Sequence, residues 1–465
     1  MVRRVSNELV GATELSGLDG GELLELGRKV LAGAKPGEHV EVLLGRSTST
    51  SVKVFGGEVE SLTSATSNGA GVRVIRDGRQ GFAHCGSLDL DVLVETLADA
   101  RDNCAFGEPD EFNGLAEPDG VPVVAQDTWS EAVVAFDPTA KVDLALDLER
   151  RTLGIDRRVT SARTTAYHDG WGDSALLSTA GIEVVQRGGS CSISTSPMAR
   201  SDGETQMGWG VDASMDPASL DLDAVAADAV ERAVRLLGAA KPPSGRMTIL
   251  LEPRLALTIV GVVTGMLSGD AVIKGRSPFA DRVGEQIASP LLSFVDDPTR
   301  SESIAAEEYD GEGLACRPNE LVANGVLRGF LHDSYTGRRS GHGSTANAVR
   351  GVRSLPGVGA HLVVMTPGER GWDDLVQSID HGLYVTSFAG LHSGVNAVSG
   401  DFSVGADGLL ISGGEIGAPV KEMTVASTLQ RLLLDIREVG GDFEWTPGGS
   451  GACSLVIDDV SISGT

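Results

Sequence analysis

The chain has 465 residues, more than one ordinary hydrophobic core accommodates, so at least two domains are expected. Sixty-five acidic against 38 basic residues leave a formal charge of −27, which repels phosphate backbones and anionic lipid and argues against nucleic-acid or membrane partners. Aromatic residues make up 4%, too few for a base-stacking platform, and the five scattered cysteines form no CxxC pair and read as reduced thiols of a cytoplasmic protein.

Residues 1–15 carry two arginines but no continuous apolar run after them, so no secretory signal is expected. Helical spacing of Leu23, Leu24, Gly27, Val30 and Leu31 predicts a first helix over 20–31. A β-region follows, with Val40, Val42 and Leu44 alternating, a tight turn at Gly56-Gly57 and another at Asp77-Gly78. This is the pattern of an antiparallel meander. Ser87 is placed to cap a helix running to Cys104, with Leu90, Leu93, Val94, Leu97 and Ala100 on its apolar face. A Pro-, Gly- and acid-rich stretch over 107–122 reads as a surface connection. Beyond it come a helix over 139–153, strands around 163–168 and 182–186, and the clearest amphipathic helix of the chain at 221–237.

KPPSG at 241–245 interrupts both periodicities and marks the expected boundary between domains 1–240 and 241–465. MTILLE then reads as a buried strand, and the uncharged stretch 255–269 as a buried helix, since about fifteen residues fall short of the roughly twenty that span a bilayer. Later strands are expected at 361–365, 382–387, 402–404, 409–412 and 454–460, with helices at 372–379 and 425–439. Strands with interspersed helices and no regular βαβ alternation favour an α+β class.

Five segments of the last third carry a resemblance to one family: VDDPT at 295–299, EEYDGEG at 307–313, NGVLRGFLHDSYTGRR at 324–339, the run 398–426 and CSLVIDDVSISG at 453–464. Together they resemble the C-terminal domain of the TldD/PmbA family, a group of metallopeptidase-related proteins; GVRVIRDGRQGFA at 71–83 is the best matching string of the N-terminal half. The resemblance implies an N-terminal α+β domain with antiparallel hairpins, a β-rich C-terminal domain, and pairing of subunits around a central cavity. In the catalytic, TldD-type members a HExxxH helix supplies two zinc ligands and a glutamate. Aligning its trailing Gly-Leu-x-Gly on Met266-Leu267-Ser268-Gly269 puts Val260, Gly261 and Gly265 at those positions, and none can bind zinc. The chain therefore looks like the PmbA/TldE-like subunit, with no cofactor of its own and zinc expected in a TldD-like partner.

The remaining metal candidates are weak. His332, His342 and His392 lie in or beside Gly-rich loops, and no two of the eight histidines sit at i, i+4 on a predicted helix. Cys453 stands where catalytic members carry a third zinc ligand, but reads here as a small buried residue. Paired acids such as Asp296-Asp297 and Glu307-Glu308 read as loop carboxylates facing water, while the resemblance places Tyr309, Asp310 and Glu312 along a substrate groove. No GxSxG elbow or P-loop is present. The expected function is the non-catalytic subunit of a heterodimeric zinc metallopeptidase acting on small or unfolded peptides. The alternatives are a homodimeric peptide- or metabolite-binding protein with lost catalysis, and a subunit of a pair acting on a specialised peptide-derived metabolite.

Overall fold

The structure, a computed structural model, describes residues 20–465; the stretch 1–15 read for a signal lies outside the described residues. In chain order the N-terminal part comprises α1 (Gly21–Leu31), β1 (His39–Phe55), β2 (Glu58–Arg76), β3 (Arg79–Cys85), α2 (Leu90–Phe106), α3 (Glu131–Val134), α4 (Pro138–Ile155), β4 (Val159–Ser178), β5 (Glu183–Ser201), β6 (Glu204–Met207), β7 (Gly210–Ser214) and α5 (Leu222–Val234). The strands form one antiparallel sheet in the order β3-β2-β1-β4-β5-β6, with β7 also on β5. Both expected hairpin turns are present. Gly56 and Gly57, then Asp77 and Gly78, take positive φ at both central positions, the backbone hand that matches the twist of the flanking strands.

The strands are far longer than the expected fragments, and β1 shows why. Its ends are apolar (Val40, Val42, Leu44; Val52, Val54), but Gly45–Ser51 between them is polar and, apart from Arg46, small. The first end packs with Leu23 of α1 and Leu93 and Leu97 of α2; the second packs with Leu148 of α4 and Val225 of α5. The backbone ladder runs through the polar middle without needing apolar alternation, so a side-chain pattern alone truncates the strand. The cap of α2 is also corrected. Asp89 accepts from Asp91 N at 2.9 Å, while Ser87 Oγ accepts from Asp89 N one step earlier. Val94, expected on the apolar face, is 51% exposed.

The C-terminal part opens with β8 (Gly245–Leu251) and α6 (Pro253–Met266). Its main sheet runs Glu415–Thr428, Asp401–Ser412, His381–Ala389, β8, Leu455–Ser463, Ile436–Val439, and is mixed because β8 and His381–Ala389 are parallel. Ile249 and Leu251 bury among side chains that include Ile259 and Val263 of α6, while Leu250 buries with Leu375 and Ile379 on the other side. Burial on both faces explains the continuous apolar run of β8. The helix expected over 425–439 is overturned. Val425 sits in a strand opposite Val404 and Ile462, Thr428 caps a single short helix, Leu429–Leu434, and the chain returns to a strand at Ile436. The β-branched Val425 and Thr428 favour the pleated surface, and Leu429, Leu432 and Leu433 supply only enough apolar spacing for that short helix.

The two parts share a small apolar seam in which Ala116, Leu176 and Ile182 meet Leu314 and Ala346. At the rim, Glu204 of β6 pairs with Lys421 and accepts from Gly238 N at 2.8 Å and Gln206 Nε2 at 2.7 Å. The Lys421 ammonium, with these donors, holds Glu204 down to about 2 from its ordinary 4.5. A depressed carboxylate stabilises the fold fully above its unfolded value and loses that contribution as pH falls through the folded one. Stability should therefore decline between about pH 4.5 and pH 2, and Glu204→Gln should flatten that part of the acid titration followed by thermal melting.

Packing gives a second prediction, with opposite signs at two glycines. A Cβ on Gly81 would lie 2.1 Å from Ala100 O and 2.2 Å from Cys104 N, because the backbone of α2 rests directly on β3. Gly81→Ala should cost roughly 3 kcal/mol in urea denaturation. Gly261, mid-helix in α6 with nothing within 4 Å of a built Cβ, should gain about 0.5–1 kcal/mol as Ala.

Candidate functional site

A buried charge cluster fastens the N-terminal sheet to the C-terminal part. Arg73 of β2 donates to both oxygens of Glu41 of β1, each at 3.1 Å, and to Glu312 at 3.4 Å. Arg350 donates to Glu41 from the other part of the chain, and Ser334 donates to Glu312 from N (2.8 Å) and Oγ (2.6 Å). All four charged side chains are at most 4% exposed. Burial alone would raise the Glu41 carboxyl, but Arg73 and Arg350 hold it below the usual range. At Glu312 burial prevails over Arg73, and the Glu41 charge adds to it, so its pKa rises. The helix Ser334–Ser340 carries a further anchor in Arg338, whose guanidinium donates to the carbonyls of Phe112, Gly114 and Leu115.

Beside this cluster lies a cavity of about 800 Å3. Its sheet side is the small polar middle of the long strands, Gly45–Ser49 of β1 with Gly170, Gly172, Gly188 and Gly189 of β4 and β5. Its other side is formed by 304–311 and by Ala348–Arg350, Val352 and His361, the first two of which pair with Gly357–Val358 in a short ribbon. Tyr309 and Asp310 line it; Glu312 does not, being taken up in the charge cluster. Asp310 is 2% exposed and accepts from Glu312 N, Leu314 N and Ala348 N at 2.9–3.0 Å, tying the loop to the ribbon. Burial, then the Glu312 charge, push its pKa up against those donors. Asp296, expected to face water, is fully buried and accepts from His361 N, Leu362 N and Asn347 Nδ2. These acids are fasteners of the cavity wall.

The buried, unpartnered atoms among the lining side chains belong to basic residues. Arg350 lines the cavity with a side chain 1% exposed, yet its Nε and Nη2 have no hydrogen-bond partner among the described residues. The same holds for Nε2 of His361, whose Nδ1 pairs with Glu307 at 2.8 Å, and for Nε of Arg187, whose guanidinium lies 4.1 Å over the Trp129 ring. Burial lowers the His361 pKa, but Glu307, Asp296 and Asp310 outweigh it and the net shift is upward. Leaving buried donors unpaired costs about 1–3 kcal/mol each, so a cluster of them calls for an explanation.

The positions aligned with the zinc motif on the sequence resemblance, and the other metal candidates, behave differently. Val260 is buried in the C-terminal core, and Gly261 and Gly265 lie exposed on α6 without side chains. Cys453 belongs to the same apolar cluster as Val260, and burial pushes its thiol up to about 12, far from the thiolate that binds metal. His332 is buried, stacks on His342 with ring centroids 6.1 Å apart, and is lowered by burial and by that neighbour; His392 is exposed on another element. No group of three or more His, Cys, Asp or Glu able to hold a metal occurs among the described residues. The donor set at the motif positions does not fit zinc.

Residues 40–104, 133–237 and 244–464 match, respectively, domain 1, the central domain and the C-terminal domain of the PmbA/TldA metallopeptidases. The chain belongs to the TldD/PmbA family. It is similar to the metalloprotease PmbA of Escherichia coli O157:H7, 25% identical over 430 residues and 92% of each chain, and to a metalloprotease TldD homolog of Haemophilus influenzae, 26% identical over 85% of this chain and 87% of that protein. Among solved structures it resembles a putative modulator of DNA gyrase from Bacteroides thetaiotaomicron (25% identity, TM-score 0.86, 96% of this chain and 100% of that one). It also shares the fold of TldE from Thermococcus kodakarensis, with TM-score 0.84 at 23% identity over 98% of this chain and 100% of that one. The α+β class of the TldD/PmbA type is thus borne out, and no helix among the described residues is long and apolar enough to cross a membrane.

Sequence reasoning missed Arg187, Arg350 and His361. The available signal was the polar interruption Gly45–Ser51 inside an apolar strand, which marks a sheet centre facing something other than core. Removing one charge from the buried cluster strands its partners, so Glu41→Gln should cost about 3–5 kcal/mol in urea denaturation.

Proposed function

We propose that this chain is the non-catalytic, TldE/PmbA-like subunit of a two-chain cytoplasmic metallopeptidase acting on small or unfolded peptides, with zinc carried by a TldD-type partner. The observation that carries the reading is the chemistry of α6: the family fold is kept, while Val260, Gly261 and Gly265, which the sequence resemblance aligns with the zinc motif, carry no ligating atom. Val260 points into the apolar core and the glycines offer no donor, so hydrolysis is assigned to the other chain.

Two features of this chain suit a peptide. The outer edge of β2 is without a strand partner over 58–69 among the described residues, since β3 pairs only from Ala70 onward, and such an edge takes an extended chain by backbone hydrogen bonding. Ser67 and Asn68 at the end of that edge line the 800 Å3 cavity. The role of this chain is then to hold and orient the peptide while the partner cleaves it.

Elemental analysis and peptide hydrolysis, on the chain alone and co-expressed with a TldD-like protein, test the proposal. The isolated chain should hold no stoichiometric zinc and cleave nothing, and both should appear in the complex. Zinc bound tightly by the isolated chain, or hydrolysis without the partner, would refute it; a stable homodimer that ignores the partner would favour the binding-protein alternative.

A further inference from the structure

We propose that the cavity between the N-terminal sheet and the 304–311 loop is a carboxylate-binding site, in which Arg350, His361 and Arg187 receive a carboxylate of a bound peptide. That the carboxylate belongs to a peptide rests on the function proposed above; the anion site itself rests on the cavity alone.

Each carboxylate lining the cavity has at least one partner. Asp173 takes Arg46 Nε and Nη2 at 2.7 and 3.0 Å, Glu307 takes His361 Nδ1 at 2.8 Å, Glu308 takes Gln126 N at 2.9 Å, and Asp310 takes three backbone N–H groups. The buried atoms of its lining residues that lack a partner are of the opposite kind: Nε and Nη2 of Arg350, Nε of Arg187 and Nε2 of His361, a donor when the ring is charged, have none among the described residues. Arg187, Arg350 and His361 thus bring buried, unpaired nitrogens to one cavity, whose acidic lining residues Asp173, Glu307, Glu308 and Asp310 each have a partner of their own.

Their supports fix them in place. Glu41 holds Arg350 by Nη1, leaving the adjacent guanidinium edge to form a paired contact with a planar carboxylate. Glu307 holds the His361 ring by Nδ1 and favours its charged form, in which Nε2 is a donor. Trp129 supports the Arg187 plane from beneath. Gly311 makes the approach possible, since a Cβ there would sit 3.1 Å from Arg350 Cγ and 2.9 Å from Ala348 O. The cavity is much larger than an inorganic anion, and its glycine floor leaves room for the chain that follows the carboxylate.

Binding is measured on the purified chain without partner or zinc, by tryptophan fluorescence, because Trp171 lines the cavity and Trp129 lies under Arg187. The probes are trialanine as free acid, trialanine amide, Ala-Glu-Ala amide and inorganic phosphate. At least one carboxylate-bearing peptide should bind about tenfold or more tightly than trialanine amide. Preference for the free acid assigns the chain terminus, and preference for the glutamyl amide assigns an acidic side chain. Arg187→Gln and His361→Gln should each weaken that peptide about tenfold with the melting temperature retained. Arg350→Gln should do so too, but it also releases Glu41, so the first two variants decide. Equal binding of all three peptides, no saturation below about 10 mM, wild-type affinity in both variants, or tighter binding of phosphate than of either carboxylate would each overturn the proposal. Because no zinc or partner is used, failure here is separable from failure of the two-chain reading.

Discussion

Four buried charges, Glu41, Arg73, Glu312 and Arg350, set the geometry on which the rest of the molecule depends. Two come from adjacent long strands of the N-terminal sheet and two from the C-terminal part, so the cluster closes only when both parts are folded and docked. Ion pairs of this kind add little net stability over an apolar packing of the same volume, but they punish every misaligned arrangement. Their value here is register: they hold the loop of Glu312 and the ribbon of Arg350 at a fixed height above the sheet, and the cavity is the space left between.

The family strings acquire a physical meaning in this frame. Asp296 of VDDPT collects backbone N–H groups of His361 and Leu362, Asp310 of EEYDGEG ties its own loop to Ala348, and Ser334 and Arg338 of DSYTGRR clasp Glu312 and the 112–115 connection. A segment dense in Asp, Glu, Ser and Arg invites a catalytic reading. In this chain the same residues are spent on satisfying buried backbone groups around an irregular, loop-built wall, which has no ladder of its own to do so. The surface at 107–122, read as a simple connection, is drawn into that wall by Arg338.

The legibility of the fold follows from which interactions write a pattern into sequence. Helix α5 and the two hairpin turns are local, set by apolar spacing and by residues tolerant of positive φ; the turns stand as read, and the helix does so up to Val234, three residues short of its expected end. The lengths of β1, β4 and β5 are not local, because their polar centres are held by neighbouring strands. The stretch 425–439 failed for a related reason: Val425 alternates against Val404 and Ile462, partners distant in the chain, whereas the leucines at 429–433 imitate a longer helix. At the site, Val260, Gly261 and Gly265 could be read as non-ligands from residue type alone. The convergence of Arg187, Arg350 and His361 could not, since it depends on three segments brought together by docking.

On the function proposed for it, this chain shapes and charges a cavity while the metal chemistry belongs to another subunit. Among the positions that the sequence resemblance aligns with zinc ligands, Cys453 carries a ligating atom, whereas Val260 and Gly265 carry none. The most direct test is the zinc content and peptide-hydrolysis rate of the co-expressed complex carrying Cys453→Ala in this chain. Both should equal those of the unaltered complex; loss of zinc together with loss of hydrolysis would place the metal in this chain and contradict the account.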